Sequence, residues 1–264
     1  MSFYDFFTEP LKTKPDKLIE FHWEVTIVML CIWIILSFYG YFSKGSIKYI
    51  SIFIIAMSIS QEFLDYFNRF SNPSYIDDLG IGPNIRDDLP IQLCHFGYWL
   101  SALTIFFQVK NIYPRLRQFI FNLSFFMGFS GALMGIITVS LEGNYSYADM
   151  LFLNLQLSII IMNLLWLIFA YKMQFQFIGI IQSFISINIL AGIVYIINFL
   201  INNYYLNLDL IEKGANYMFL NRPPEVNNFL VFSENHILGF EIIFFIYGFI
   251  IYLPFRLFQK KNEL

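Results

Sequence analysis

Cys94 and His95 stand side by side in a chain that has only two cysteines and three histidines, and two carboxylates, Glu62 and Glu241, interrupt stretches that are otherwise apolar. Those residue types can do nucleophilic chemistry. A thiol attacks once it has lost its proton, and an imidazole or carboxylate can take that proton. A free thiol has a pKa of about 8.5, so it needs a base or a positive neighbour to react. Successive residues on a helix point about 100° apart, which turns His95 away from Cys94. His22 and His236 are therefore the candidate bases. Cys31 and Cys94 both fall in apolar runs, where no disulfide framework has a place and a small buried hydrophobe is the ordinary role. No two histidines show ligand spacing, so we assign no metal. There is no Gly-rich phosphate loop, Gly-x-Ser-x-Gly elbow or His-Glu-x-x-His, and we assign no cofactor.

The elements that must position these residues are membrane helices. Of 264 residues, 58% are hydrophobic and 13% charged, against roughly 25% charged in soluble domains. That much apolar surface cannot be hidden in one soluble core. The net charge of −3 comes with no basic tract, which excludes nucleic acid as a partner. Seven runs have the length of a span, about 20 apolar residues: 23–42, 49–65, 89–107, 119–141, 150–171, 177–201 and 237–258. Pro90 reads as a first-turn residue of the third. In the fourth, Gly131 and Gly135 have GxxxG spacing, and Gly128 pairs with Ala132, so this helix can approach its neighbours closely. The expectation is an all-α polytopic bundle of about seven helices. It forms a single transmembrane domain over 1–264, with an N-terminal segment 1–21, a bundle 22–258 and a tail 259–264. No cleavable signal peptide is evident at the start.

Loop charge gives an orientation. Lys44, Lys48, Lys110, Arg115, Arg117, Lys172, Arg256, Lys260 and Lys261 fall on one side, in short loops beside span ends. That side is the cytoplasm, which leaves the N-terminus outside a cell membrane. With this orientation Gln61, Glu62 and Asp65 end the second span near the outer surface. Cys94 and His95 lie about 8–9 Å along the third helix, counted from Leu89 at 1.5 Å per residue. Asn154 and Gln156, His22, His236 and Glu241 share the same leaflet. Ionisable groups in a membrane helix usually face the protein interior or a wet cavity. Glu62, Gln92, His95, Gln156 and Glu241 are thus the candidate pocket around Cys94.

Four stretches resemble a known family. Residues 89–94, Leu-Pro-Ile-Gln-Leu-Cys, resemble the Leu-Pro-Leu-His-Leu-Cys signature of the YwaF-type bacterial integral membrane proteins, related to eukaryotic transmembrane protein 164. Gln61-Glu62 with the aromatics after it, the Gly-rich stretch 125–133 and Asn216-Tyr217-Met218-Phe219-Leu220 are similar to further motifs of that family, in the same order. The resemblance implies a seven-span bundle. It also implies cysteine-dependent acyl transfer on phospholipids, in which the signature cysteine pairs with a histidine of a later span. The cysteine falls on Cys94. The histidine falls near Gln156 or Leu157, and the signature histidine is Gln92. Near the family's Trp-Pro-Trp-like stretch stands 233–236, Ser-Glu-Asn-His.

Three functions follow. The first is a membrane protein that binds lipid or a partner through the pocket, without assigned activity. The second is a phospholipid acyltransferase with Cys94 as nucleophile. The third is a small-solute transporter, against which stands the lack of an inverted repeat or paired broken helices.

Overall fold

The computed structural model describes residues 15–43, 45, 47–71, 76–77, 80–81, 85–86, 88–137, 146–205 and 214–222, with isolated positions between 237 and 257. The protein is a helical membrane bundle. Its helices are α1 (Pro15–Phe42), α2 (Ile47–Ser71), α3 (Leu93–Lys110), α4 (Pro114–Ile137), α5 (Tyr147–Phe169) and α6 (Phe177–Tyr205). Among the described residues, five helices are long and apolar enough to cross a membrane: α1, α2, α4, α5 and α6. The 18-residue α3 completes the packed set. The seventh run is helical at its described positions, and its Phe249 and Tyr252 rings meet Phe177. A two-residue antiparallel pair, β1 (Ile76–Asp77) with β2 (Gly80–Ile81), lies between α2 and α3.

Helix starts follow from local chemistry. Pro15 opens α1, where its missing N–H costs nothing. Ser146 caps α5 through a reciprocal box with Asp149. The third span departs from expectation. Its helix begins at Leu93, after an extended Gln92, and Ile91 N–H donates to the Leu89 carbonyl at 2.7 Å. Pro90 therefore lies outside the helix, in a tight turn just before it. This moves Cys94 from the second helical turn to the first turn of α3.

Helix α5 is the axis of the bundle. It is buried on nearly every side and packs against α1, α2, α3 and α4. Its Ile160, Leu164, Trp166 and Leu167 are the centre of the apolar core, with Phe121 and Phe125 of α4 and Tyr98 and Ile105 of α3. A helix that is apolar all round belongs in such a centre or in lipid. Helices α1 and α6 show the second case: Ile27, Ile35 and Phe38, and Ile189, Ile196 and Phe199, face outward. Cys31 lies on that outer surface of α1, exposed. It is not the buried hydrophobe expected, because hydrocarbon satisfies an apolar thiol as well as a core does.

Small residues set the closest helix approach. A Cβ on Gly97 of α3 would stand 3.0 Å from the backbone nitrogen of Gly128 on α4. A Cβ on Gly128 would be 2.6 Å from Leu164 of α5, and one on Gly135 3.0 Å from Leu157. Gly131 has more room, with Cys94 Cβ 3.9 Å from such an atom. The Gly97–Gly128 crossing thus fixes how α3 lies on α4, and Gly131 is the floor beneath Cys94.

Candidate active site

The site starts with the turn before α3. Gln92 occupies the N-cap position but makes no capping hydrogen bond. Its side-chain oxygen instead accepts from Met218 N–H at 2.8 Å. Tyr217 ties the same two segments together: its hydroxyl donates to the Ile85 carbonyl at 2.9 Å and accepts from Leu89 N–H at 2.8 Å. Asn198 of α6 holds Tyr217 from behind through both its backbone N–H and its carbonyl. This clasp carries Met218 and Phe219 in left-handed conformations, φ 57° and 54°, which non-glycine residues adopt only when their surroundings compel it.

The clasp leaves the first turn of α3 uncapped by Gln92, and Cys94 lies in that turn. First-turn N–H groups have no partner within their own helix and favour negative charge nearby. The Cys94 thiol is partly buried against the core. His95 Nδ1 stands 4.0 Å from its sulfur, so an imidazole nitrogen lies beside the thiol. The two residues still point about 100° apart, but the imidazole is long enough to bring Nδ1 back to the neighbouring sulfur.

Helix α2 supplies the carboxylates. Glu62 is buried, accepts from the Gln156 side chain at 3.5 Å, and lies within electrostatic reach of Cys94. One turn on, Asp65 and Asp88 both pair with Arg69, and Asn68 donates to Asp149 at 2.7 Å. Lower in the bundle Asn163 donates to the hydroxyls of Ser101 and Ser58, and Tyr98 donates to the Ser58 carbonyl. Lower still the Trp166 indole donates to Ser51. Helices α2 and α5 therefore meet along a seam of polar pairs: Asn68 with Asp149, Glu62 with Gln156, Ser58 with Asn163, Ser51 with Trp166. Only its upper end stands out in the sequence. The signal for the rest is the spacing 51, 58, 61/62, 65, 68, which follows one face of a helix.

His22 has a different part. Its Nε2–H donates to the Ile136 carbonyl at 2.9 Å, and its Nδ1 accepts from Asn154 at 3.0 Å. Asn154 also donates to Met150 and accepts from Thr26. Both ring nitrogens are spent joining α1, α4 and α5, which leaves no lone pair for Cys94.

The comparisons with known proteins rest on this geometry. The family model described as the TMEM164 family matches residues 16–252, nearly the whole bundle. The chain belongs to the TMEM164 family. Comparisons with curated proteins and with solved structures gave no match. In this TMEM164-family chain the structure brings together Glu62 and Gln156, and beside them Cys94 and His95. It assigns Gln92 to the clasp and His22 to a separate contact. His236 and Glu241 lie outside the described residues. Among the described residues no group of three or more His, Cys, Asp and Glu side chains could hold a metal ion.

Proposed function

We propose that the protein handles acyl chains of membrane lipids, with Cys94 as nucleophile and His95 as its base. The contact between Cys94 Sγ and His95 Nδ1, 4.0 Å in the uncapped first turn of α3, carries this reading. His95 takes the thiol proton as the sulfur attacks an ester carbonyl. The lysolipid oxygen then leaves with a proton, and the acyl group remains on sulfur. First-turn N–H groups are suitably placed donors for the oxyanion. Loop charge places this end of the bundle on the outer side, with the N-terminus outside and the C-terminus cytoplasmic. The whole matched bundle then acts as one domain.

A second reading, lipid binding without chemistry, draws support from two amides. Gln156 and Gln92 stand where the family resemblance leads one to expect histidines, and neither can accept a proton at neutral pH. Labelling with a lipid-like thiol-reactive probe in proteoliposomes separates the readings. Catalysis requires Cys94 to react much faster than the lipid-facing Cys31, and His95→Gln to remove the difference. Equal slow rates for the two cysteines would leave only binding.

A further inference from the structure

Three carboxamides along the α2–α5 seam share an unusual condition. Gln61 donates to the Phe152 carbonyl, Asn68 to the Asp149 carboxylate, and Asn163 to two serine hydroxyls. Each of these partners can only accept. The Phe152 carbonyl has no proton to give, the Asp149 carboxylate accepts from Ser146 as well as from Asn68, and Ser58 and Ser101 already donate to the Ile54 and Tyr98 carbonyls. The amides cannot be flipped without setting acceptor against acceptor. Their carbonyl oxygens, Gln61 Oε1, Asn68 Oδ1 and Asn163 Oδ1, therefore point into the protein with no donor among the described residues. All three side chains are more than nine-tenths buried.

A buried acceptor without a donor costs about 1–3 kcal/mol, and three on one seam call for a ligand that donates. Water is the donor small enough to fit between packed helices, and buried waters usually bridge such groups. The three oxygens lie at successive heights. Asn68 is level with the ionic group of Asp65, Arg69 and Asp88. Gln61 is about 10 Å deeper, beside Glu62, and Asn163, which meets Ser58 three residues further along α2, is about 5 Å deeper again, at 1.5 Å per residue. The middle station is the level of Glu62, a carboxylate whose charge reaches Cys94 and which the acylation step does not use.

We propose that the α2–α5 seam holds a file of internal water reaching from the ionic group, past Glu62, to Asn163 and the Ser58–Tyr98 contact, and that Glu62 directs this water onto the acyl-Cys94 thioester, making the reaction a lipid hydrolysis. This rests on the acyl-Cys94 reading above. Glu62 accepts a proton from water while the water oxygen attacks the thioester carbonyl. The carbon–sulfur bond breaks, the sulfur leaves as thiolate and recovers a proton by way of Glu62, and a free fatty acid departs. No oxidant or second cofactor is needed, and the second substrate is water rather than a lysolipid.

Two readouts on the full chain in phosphatidylcholine vesicles test this. The first does not depend on Cys94 chemistry. Brief radiolysis in H2-18O oxidises buried side chains that touch internal water. Tyr98, on the seam, should be labelled, and Phe121, equally buried in the apolar core, should not, after correction for intrinsic reactivity. A Tyr98 as protected as Phe121 would show a dry seam and overturn the proposal whatever Cys94 does. The second follows an acyl-labelled phosphatidylcholine in H2-18O. Wild type should release fatty acid carrying one 18O. Glu62→Gln, which keeps an acceptor for Gln156, should slow thioester decay about a hundredfold, the range of a lost general base, and let acyl-Cys94 accumulate. Unchanged decay in Glu62→Gln, or acyl transfer to lysolipid alone, would overturn hydrolysis and leave the acyl-Cys94 reading intact. Failure of wild type to form acyl-Cys94 at all would sink both.

Discussion

His22 and His95 are both histidines near helix starts, and they behave in opposite ways. His22 is fully buried, with one nitrogen donating to Ile136 and the other accepting from Asn154. Three helices meet on it, and its tautomer is set by its partners. His95 is only partly buried and keeps a nitrogen beside a thiol at 4.0 Å. Under the proposed reading, the difference teaches that hydrogen-bond saturation, more than depth in the membrane, separates a structural histidine from one free to move a proton. A ring whose two nitrogens are spent holds helices together, and a ring with one to spare can move a proton.

The largest expected effect tests the reactive side of this contrast. Cys94→Ser should abolish acyl-adduct formation from phospholipid vesicles while the helical circular dichroism stays unchanged; an undiminished adduct would place the nucleophile elsewhere. Next, His95→Gln should slow thiol acylation about a hundredfold. The same change at His22 should leave the rate of the folded protein within about twofold. Reversed sensitivities, read by probe-labelling kinetics, would exchange the two roles.

Packing effects come after these. Gly97→Leu puts a branched side chain where even a Cβ would meet the Gly128 backbone at 3.0 Å. Neither backbone can yield, so the folded yield in detergent should collapse, whereas Gly131→Ala, with 3.9 Å of room, should melt close to wild type. Similar melting for the two would remove the α3–α4 crossing from the account. Last, His22→Ala should lower stability by about 1–3 kcal/mol, because Ile136 and Asn154 lose their partner in an apolar surrounding. Thermal unfolding in detergent checks this, and an unshifted midpoint would deny His22 its structural role.

The spans were legible because the bilayer imposes a length that apolar runs must meet. The central place of α5 was not legible, because its run differs little in composition from those of the lipid-facing helices. What stayed hidden depends on a few dihedral angles. Pro90 suits a first helical turn, yet it sits in the turn before α3, and the later start, at Leu93 rather than Leu89, moves Cys94 from the second helical turn to the first. The pairing of Cys94 with His95 could not be read from helical periodicity, which describes side-chain bases and not the reach of a ring. Gln92 looked like a pocket residue because it replaces a signature histidine. Its partner Met218 is 126 residues away, and that contact was visible only as two motifs with no stated relation. The deeper seam of Ser51, Ser58 and Asn163 escaped notice because serines and a lone asparagine are ordinary in membrane helices until their partners are known.

The account turns on whether Cys94 carries an acyl group. Intact-mass measurement of the full chain after incubation with phosphatidylcholine vesicles tests this most directly. The account predicts an added mass equal to one acyl chain, removed by neutral hydroxylamine, mapped to Cys94 and reduced in His95→Gln. A chain that stays unmodified, or an adduct carried on Cys31, would contradict it.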